Sequence, residues 1–397
     1  WEKEKVEGVA VLPASKSISN RALVLSVLSG SPIPENLSDS DDTRVLQEAL
    51  SGTSDLVHVG HAGTAMRFLT AYFALKGGVR ELTGSERMKQ RPLHVLVDAL
   101  RKLGAKIAYL GEEGFPPLWI SPSSLQGGKE LTLDASVSSQ YVSALMMIAP
   151  LLPGGLTISL RGKIVSGSYI RMTAAMMSQV GAVVDLESER ITIPEGEYKP
   201  TGSRIEADWT AASYFYEMLV LVGQGRIFIP DLKSDSLQGD ARQYILWERL
   251  GIQTEWCDNG VYLHASGQVV DFFEADFTEM PDLALTFIVA CCLKNISFHI
   301  RGLETLHIKE CDRVSASVCE LRKLGYELNV PEHGELCWNG ERNTFVSLEI
   351  DTYQDHRMAM AFAPAGLKLS GLVIRNAGVV SKSFPTFWEQ FNNLVIE

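Results

Sequence analysis

Two short patterns recur along this chain with a shared period, and that repetition constrains its fold more tightly than any single motif. In the first, a helix end runs into glycine and then into apolar strand residues. It occurs at 100–107 (LRKLGAKI), 177–184 (MSQVGAVV), 247–254 (WERLGIQT) and 321–328 (LRKLGYEL), so Gly104, Gly181, Gly251 and Gly325 lie 77, 70 and 74 residues apart. Glycine just past a helix end adopts the left-handed conformation without a Cβ clash, and the apolar residues after it start a strand. In the second pattern a polar cluster precedes an apolar stretch with few charges. The clusters are 15–17 (SKS), 61–64 (HAGT), 138–140 (SSQ), 208–210 (DWT), 280–282 (MPD) and 354–357 (QDHR). Counted from Lys16, the markers Gly63, Ser138, Asp208, Asp282 and Arg357 follow in steps of 47, 75, 70, 74 and 75. The short first step predicts a unit that has lost strand–helix content, between residues 50 and 59.

Six such units predict an α/β chain with six helices apolar almost all round, and therefore buried. The repeat series halves near 204–208. We expect a first lobe over 14–206 and a second over 1–13 plus 207–397, with three units each. The first strand, 6–12, precedes the first helix and can pair with either lobe; it is grouped here with the second.

The polar helix starts are the functional signal. A helix N-terminus carries unsatisfied N–H donors and about half a positive charge, so it attracts anions. Ordinary N-caps need only Ser, Thr, Asp or Asn. Starts that also carry Lys, Arg, Gln and His point to a common anionic ligand addressed by both lobes. The net charge is −12, so the cations must be gathered locally, and a broad nucleic-acid or anionic-membrane surface is not expected. No basic n-region followed by an apolar h-region opens the chain, and no apolar run approaches the 18 or so residues of a membrane span; 283–293 reads as buried core. The six cysteines, Cys257, Cys291, Cys292, Cys311, Cys319 and Cys337, form no C-x-x-C pair and read as reduced cytosolic thiols. The eight histidines show no metal-ligand spacing, so no metal is expected.

Several segments carry anion chemistry. In 12–22 (LPASKSISNRA) a lysine at a helix start precedes an arginine about one turn on, so both reach one face. It is not a phosphate-binding P-loop, because G-x-x-x-x-G-K-[ST] is absent. In 61–67 (HAGTAMR) glycine lets a ligand approach the backbone, and 87–92 (RMKQRP) is a further basic turn. The alternating charges of 309–313 (KECDR) read equally well as a capped, salt-bridged helix start. In 351–360 (DTYQDHRMAM) adjacent His356 and Arg357 enter an apolar helix, and both cannot be buried cheaply without anionic partners. Lys382 sits in a tight turn near the end.

These residues, in this order over essentially the whole chain, resemble the 5-enolpyruvylshikimate-3-phosphate synthase family. The matching segments are PASKSISNRAL, GHAGTAMRFLTA, LTGSERMKQRPL, SVSSQYVSALMMIAPLL, EADWTAASYF, MPDLALT, IKECDRV, DTYQDHRMAMAF and SKSFPTFWEQF. The resemblance implies a two-lobed inside-out α/β barrel, each lobe built of three repeated β–α units with buried parallel helices. It implies transfer of the enolpyruvyl group of phosphoenolpyruvate to the 5-hydroxyl of shikimate 3-phosphate by addition and elimination, on the route to chorismate and the aromatic amino acids. A monomeric cytoplasmic enzyme without metal or cofactor is expected, and the resemblance implies that glyphosate competes at the phosphoenolpyruvate site. Phosphoenolpyruvate is assigned to Lys16, Gly63, Thr64, Arg91, Gln140, Arg313, Arg357 and Lys382. Shikimate 3-phosphate is assigned to Lys16, Ser17, Arg21, Ser138, Ser139, Gln140, Ser166, Tyr169, Asp282 and Lys309. Catalytic roles fall to Asp282, Glu310, Lys16 and His356, with Asp282 as the base on the hydroxyl and Glu310 or Lys16 as proton donor to C3.

The sequence departs from the family pattern at His61, where asparagine is common, at Phe68, where proline is common, at Thr305, another common asparagine, and at Cys311, usually a small hydroxyl residue. Near Cys311 cations favour a thiolate and carboxylates oppose it; Cys311 reads either as a small buried filler, the commoner case, or as a thiol that alkylates slowly and is protected by ligands. Two other readings fit the residues less well. The sister enolpyruvyl transferase acting on UDP-N-acetylglucosamine carries a cysteine in its first lobe, whereas no cysteine precedes Cys257 here. A non-catalytic phosphometabolite-binding homologue does not account for Lys16, Asp282, Glu310, His356 and Lys382 together.

Overall fold

In the computed structural model, which describes residues 5–78, 80–134 and 138–396, the repeat takes the form of a recurring strand order. The chain divides into two units, Ser15–Ile205 and Trp1–Ala14 with Glu206–Glu397. Strand β1 (Lys5–Val9) therefore belongs with the C-terminal half. The unit Ser15–Ile205 opens with α1 (Lys16–Ser29) and α2 (Asp41–Ser51). There follow β2 (Leu56–His58), α3 (Gly63–Lys76), β3 (Arg80–Thr83), the single turn α4 (Glu86–Lys89), α5 (His94–Lys102), β4 (Lys106–Tyr109) and β5 (Leu118–Ser121). The next repeat is β6 (Lys129–Asp134), α6 (Ser139–Ile148), β7 (Leu156–Arg161), α7 (Gly167–Gln179), β8 (Asp185–Leu186) and β9 (Arg190–Ile193). The two sheets run β2-β3-β5-β4 and β6-β7-β9-β8. In each, the leading pair is parallel and the others antiparallel. A parallel pair needs a crossover connection, and the apolar helices α3 and α6 supply it. The α1–α2 segment has no such sheet among the described residues. A lone parallel bridge, Glu35 to Arg204, pairs its chain there.

The other unit repeats the scheme. It continues with α8 (Trp209–Val222), β10 (Gly225–Pro230), α9 (Gln243–Arg249), β11 (Ile252–Cys257) and β12 (Gly260–Ala265). Then come β13 (Phe272–Asp276), α10 (Ala284–Lys294), β14 (Ser297–Arg301), α11 (Arg313–Lys323) and β15 (Leu336–Trp338). The chain closes with β16 (Glu349–Ile350), α12 (His356–Phe362), β17 (Val373–Ile374), α13 (Phe387–Asn393) and β18 (Val395–Ile396). Its largest sheet, β11-β12-β10-β1-β18, shows the same order with β18 added at the edge beside β1. The pairs β13–β14 and β16–β17 are again parallel.

The repeated glycines end α5, α7, α9 and α11 with φ of +103°, +88°, +86° and +86°, the left-handed stop that their spacing implies. Helices α8, α10 and α12 are buried nearly throughout. Trp247 stacks on Phe287 with ring centroids 3.8 Å apart, and Tyr216 and Phe273 stack on the same pair. Each fully buried aromatic contributes about 1.5–3 kcal/mol. All six cysteines are free. Among the described residues no helix is long and apolar enough to cross a membrane.

Candidate functional site

In the unit Ser15–Ile205 the assigned residues gather at helix starts. Ser15 caps α1, its Oγ accepting from the Ile18 amide at 3.4 Å, and Ser138 caps α6 through the Gln140 amide at 3.2 Å. Helix α7 begins after Ser166, which is held at φ +59° and gives it no side-chain cap. Non-glycine residues rarely adopt that conformation. The first two residues of the SVSSQY segment, Ser136 and Val137, lie outside the described residues.

Arg21 binds these starts into one group. Its Nε donates to Thr173 Oγ1 at 2.7 Å on α7, and its Nη2 to Ser143 Oγ at 3.1 Å on α6. Its Nη1 donates to the Ser17 carbonyl at 3.0 Å, and the guanidinium lies 5.5 Å from the Phe68 ring and 5.6 Å from the Tyr169 ring. Phe68, a departure from the family pattern, thus packs against this cation. Burial pushes the Arg21 guanidinium down to about 10, so it stays charged at neutral pH. Among the described residues no carboxylate pairs with it, and a buried cation without a counter-ion is costly until an anion arrives.

Lys16 opens α1 and its Nζ lies 3.1 Å from Asp42 Oδ2, near the start of α2. Gln140 Nε2 donates to Thr64 Oγ1 at 3.2 Å, joining the starts of α6 and α3. The start of α3 has no side-chain cap, and the Arg91 guanidinium lies over it. A Cβ built on Gly63 would sit 2.6 Å from Arg91 Nη1. A cation at the positive end of a helix is unfavourable unless an anion shares the place. His61 is occupied elsewhere, with Nδ1 3.0 Å from Ser85 Oγ.

The unit containing Glu206–Glu397 builds an ion cluster from distant segments. Asp282, in the 3₁₀ turn Pro281–Leu283 before α10, meets Arg313 Nη1 at 2.9 Å, Arg357 Nη2 at 3.1 Å and Lys309 Nζ at 3.4 Å. Burial pushes its carboxyl up, but Arg357, Lys309 and Arg313 outweigh burial and hold it well below the usual carboxylate range. Arg313, 2% exposed along its side chain, also reaches Glu310 Oε2 at 2.8 Å and Asp355 Oδ2 at 2.7 Å. Lys382 Nζ pairs with Glu310 Oε1. Asp355 caps α12 through the Arg357 amide at 2.9 Å, and its Oδ1 is 3.4 Å from His356 Nδ1. His356 and Arg357 are both buried; Arg357 has Asp282 as the anionic partner such burial requires, and His356 lies beside Asp355.

The sequence reading did not single out Asp42, Asp355 or Asp240. Asp355 was in view inside the DHR segment, whereas Asp42 and Asp240 carry no motif signal. Asp240 is buried and hydrogen-bonded to Thr210; burial pushes its carboxyl up to about 7, with Asp282 adding to the rise. Lys309, Arg313, Arg357 and Lys382 thus face Asp282, Glu310 and Asp355, an arrangement that favours a further anion. Thr305 is buried, and its hydroxyl has no hydrogen-bond partner among the described residues.

At Cys311 the carboxylates prevail. Its thiol donates to Asp355 Oδ2 at 3.6 Å, and burial, with Asp355 behind it, pushes the thiol up. Iodoacetamide at neutral pH should therefore label the exposed Cys257 and Cys319 and leave Cys311 unlabelled with or without ligands. Peptide mapping that finds early Cys311 labelling would contradict this.

The sequence profile of the family described as EPSP synthase (3-phosphoshikimate 1-carboxyvinyltransferase) matches residues 45–391. A 3-phosphoshikimate 1-carboxyvinyltransferase of Bacteroides fragilis is 46% identical over 388 residues, 97% of this chain and 94% of that protein. One from Shewanella sediminis is 35% identical over 426 residues, covering 98% and 96%. A solved EPSP synthase structure from Acinetobacter baumannii superimposes with a TM-score of 0.77 over all of this chain and 97% of that one. At 21% identity that likeness speaks to the fold: two-lobed and α/β.

Proposed function

This chain belongs to the EPSP synthase (3-phosphoshikimate 1-carboxyvinyltransferase) family, and we propose that it transfers the enolpyruvyl group of phosphoenolpyruvate to the 5-hydroxyl of shikimate 3-phosphate, releasing phosphate. The observation that carries this reading is Asp282, a carboxylate kept ionised by three cations at 2.9–3.4 Å in a cluster with more positive than negative side chains. The buried Arg21, with no carboxylate paired to it among the described residues, supports a second anion at the starts of α1, α6 and α7, where Ser138, Ser139 and Ser166 suit the phosphate of shikimate 3-phosphate. Omitting either substrate should abolish phosphate release; release from phosphoenolpyruvate alone would reject the reaction.

The chemistry needs a base and an acid together with fixed cations. As the 5-oxygen adds to C2 of phosphoenolpyruvate, C3 takes a proton; the tetrahedral adduct then loses phosphate and a C3 proton. Asp282 takes the hydroxyl proton. Arg313, Arg357 and Lys382 offset the charge of phosphoenolpyruvate, with Lys16 and Arg91 assigned to the same ligand and Lys309 to shikimate 3-phosphate. The proton for C3 comes from Glu310 or from the Lys16 ammonium. Glu310, paired with Arg313 and Lys382 in the free protein, serves as donor once bound phosphoenolpyruvate draws those cations away and it has taken up a proton, and His356 supports these transfers from the start of α12.

A carboxylate held so far down is a weak base, and bound substrate corrects this. Phosphate and carboxylate oxygens compete for Lys309, Arg313 and Arg357 and bring negative charge near Asp282, so its pKa rises in the complex. The acid limb of kcat, which reports the complex, should thus lie at higher pH than that of kcat/KM, which reports the free enzyme. Coincident limbs would count against Asp282 as the base.

Gly63→Ala tests the phosphoenolpyruvate assignment. The new methyl meets the movable end of Arg91, so the guanidinium must shift from the start of α3. The Michaelis constant for phosphoenolpyruvate should rise about tenfold, equivalent to roughly 1.4 kcal/mol, and glyphosate, the longer anion, should lose more. In an Arg91→Ala background the same change should have little further effect, because one cation mediates both. Additive losses would show that Gly63 acts some other way.

We further read the protein as a monomeric cytoplasmic enzyme working on these two small molecules alone, for which sedimentation should give one species near 43.7 kDa.

A further inference from the structure

Helix α11 grips the segment in front of α12 at two points. At its start, Arg313 holds both oxygens of Asp355, at 2.7 and 3.2 Å. Seven residues later, two turns along the same face, comes Glu320, fully buried. Its Oε1 accepts from the Tyr353 hydroxyl at 2.6 Å, and its Oε2 from Lys323 Nζ at 2.7 Å and from the Asp351 amide at 3.0 Å. Lys323 also reaches Asp351 Oδ2 at 2.8 Å.

Between the two grips lie successive non-glycine residues in the left-handed region, Tyr353 at φ +52° and Gln354 at φ +57°. Residues with a Cβ avoid that region and stay there only when their surroundings over-determine it. The Asp355 amide closes the turn onto the Thr352 carbonyl at 2.8 Å, and the next residues are His356 and Arg357. Relaxing Tyr353 and Gln354 would rotate the entry to α12 and the direction in which Arg357 leaves it.

We propose that Glu320 is a positioning residue for the transfer reaction, holding Tyr353 and Asp351 so that the strained pair persists and Arg357 stays aimed at Asp282. This rests on the reading that Arg357 and Asp282 act on the substrates. Glu320 touches neither and acts through the turn.

Tyr353→Phe is the test, because it removes one hydrogen bond and keeps both ring and charge; Glu320→Ala strips three and risks the fold. In Tyr353→Phe the Michaelis constant for phosphoenolpyruvate should rise about tenfold, with Tm changed by no more than a few degrees. Adding Gln354→Gly, which makes the left-handed conformation easy, should return the constant to within about threefold of the wild type. A folded Tyr353→Phe with an unchanged constant, or a loss that Gln354→Gly does not repair, overturns the proposal. If the wild type releases no phosphate, the reaction reading fails by itself. The anchoring is then judged by crystal structures of wild type and Tyr353→Phe: a lengthened Arg357–Asp282 contact upholds it, and an unchanged 3.1 Å overturns it.

Discussion

Replacing Asp282 with asparagine should lower kcat by about 10²–10⁴, the usual worth of a positioned base, while phosphoenolpyruvate binds no more weakly. Asparagine fills the same space but cannot take the proton from the 5-hydroxyl. It also removes the carboxylate that Arg313, Arg357 and Lys309 share at 2.9, 3.1 and 3.4 Å. Those cations then attract phosphoenolpyruvate more strongly, so kcat and the Michaelis constant should separate. Breaking a buried ion group by removing one partner typically costs about 3–5 kcal/mol. Circular dichroism must therefore show a folded variant before its kinetics are read. The acid limb of the kcat profile should vanish with the carboxylate. A folded Asp282→Asn within fivefold of the wild-type kcat would remove Asp282 from the role of base.

Glu217→Met should raise stability. Glu217 lies in the middle of α8, fully buried, and neither carboxylate oxygen has a hydrogen-bond partner among the described residues. Burial pushes its carboxyl well above the ordinary glutamate range, so the folded protein holds it neutral. An unsatisfied buried polar group costs about 1–3 kcal/mol, and an apolar side chain of similar shape escapes that cost. In a unit of this size each 1 kcal/mol shifts Tm by roughly 2–4 °C. The sign with pH follows from linkage. Below the ordinary glutamate value both folded and unfolded chains carry the proton, and the wild type suffers least. As pH rises the unfolded chain releases its proton while the folded one keeps it, so wild-type stability falls until the folded value is passed. The Tm advantage of Glu217→Met should therefore widen as pH rises from the ordinary glutamate range toward neutrality. An advantage flat in pH would mean that Glu217 is ionised in the fold.

The same contrast between near and distant residues separates what the sequence disclosed from what it withheld. Helix ends obey local rules: Gly104, Gly181, Gly251 and Gly325 stop their helices because a left-handed residue without a Cβ is needed at that point. The period of about 70–77 residues followed, and the repeated parallel pair with its antiparallel partners fills it. The start of α11 was also legible. Asp312 caps it through the Ser315 amide at 3.1 Å and meets His307 at 3.0 Å, as alternating charges before a helix suggest. The motif segments, read together, disclosed the family.

Charge pairing was not legible, because it depends on which helices pack together rather than on neighbours in the chain. Arg313 passes over adjacent Asp312 for Asp355, 42 residues away, and Arg357 pairs with Asp282 at a separation of 75. At such separations desolvation and distance decide the partner, and both are properties of the folded interior. Only there, among the described residues, is Arg21 left without a carboxylate, Cys311 turned toward one, and Glu217 enclosed without a hydrogen-bond partner. The sequence by itself determined the repeat, its helix ends and the family; the tertiary structure decided which distant buried charges meet, because beyond one-turn pairs such as Arg313–Glu310 and Lys323–Glu320 the partners come from separate segments that only packing brings into one low-dielectric place.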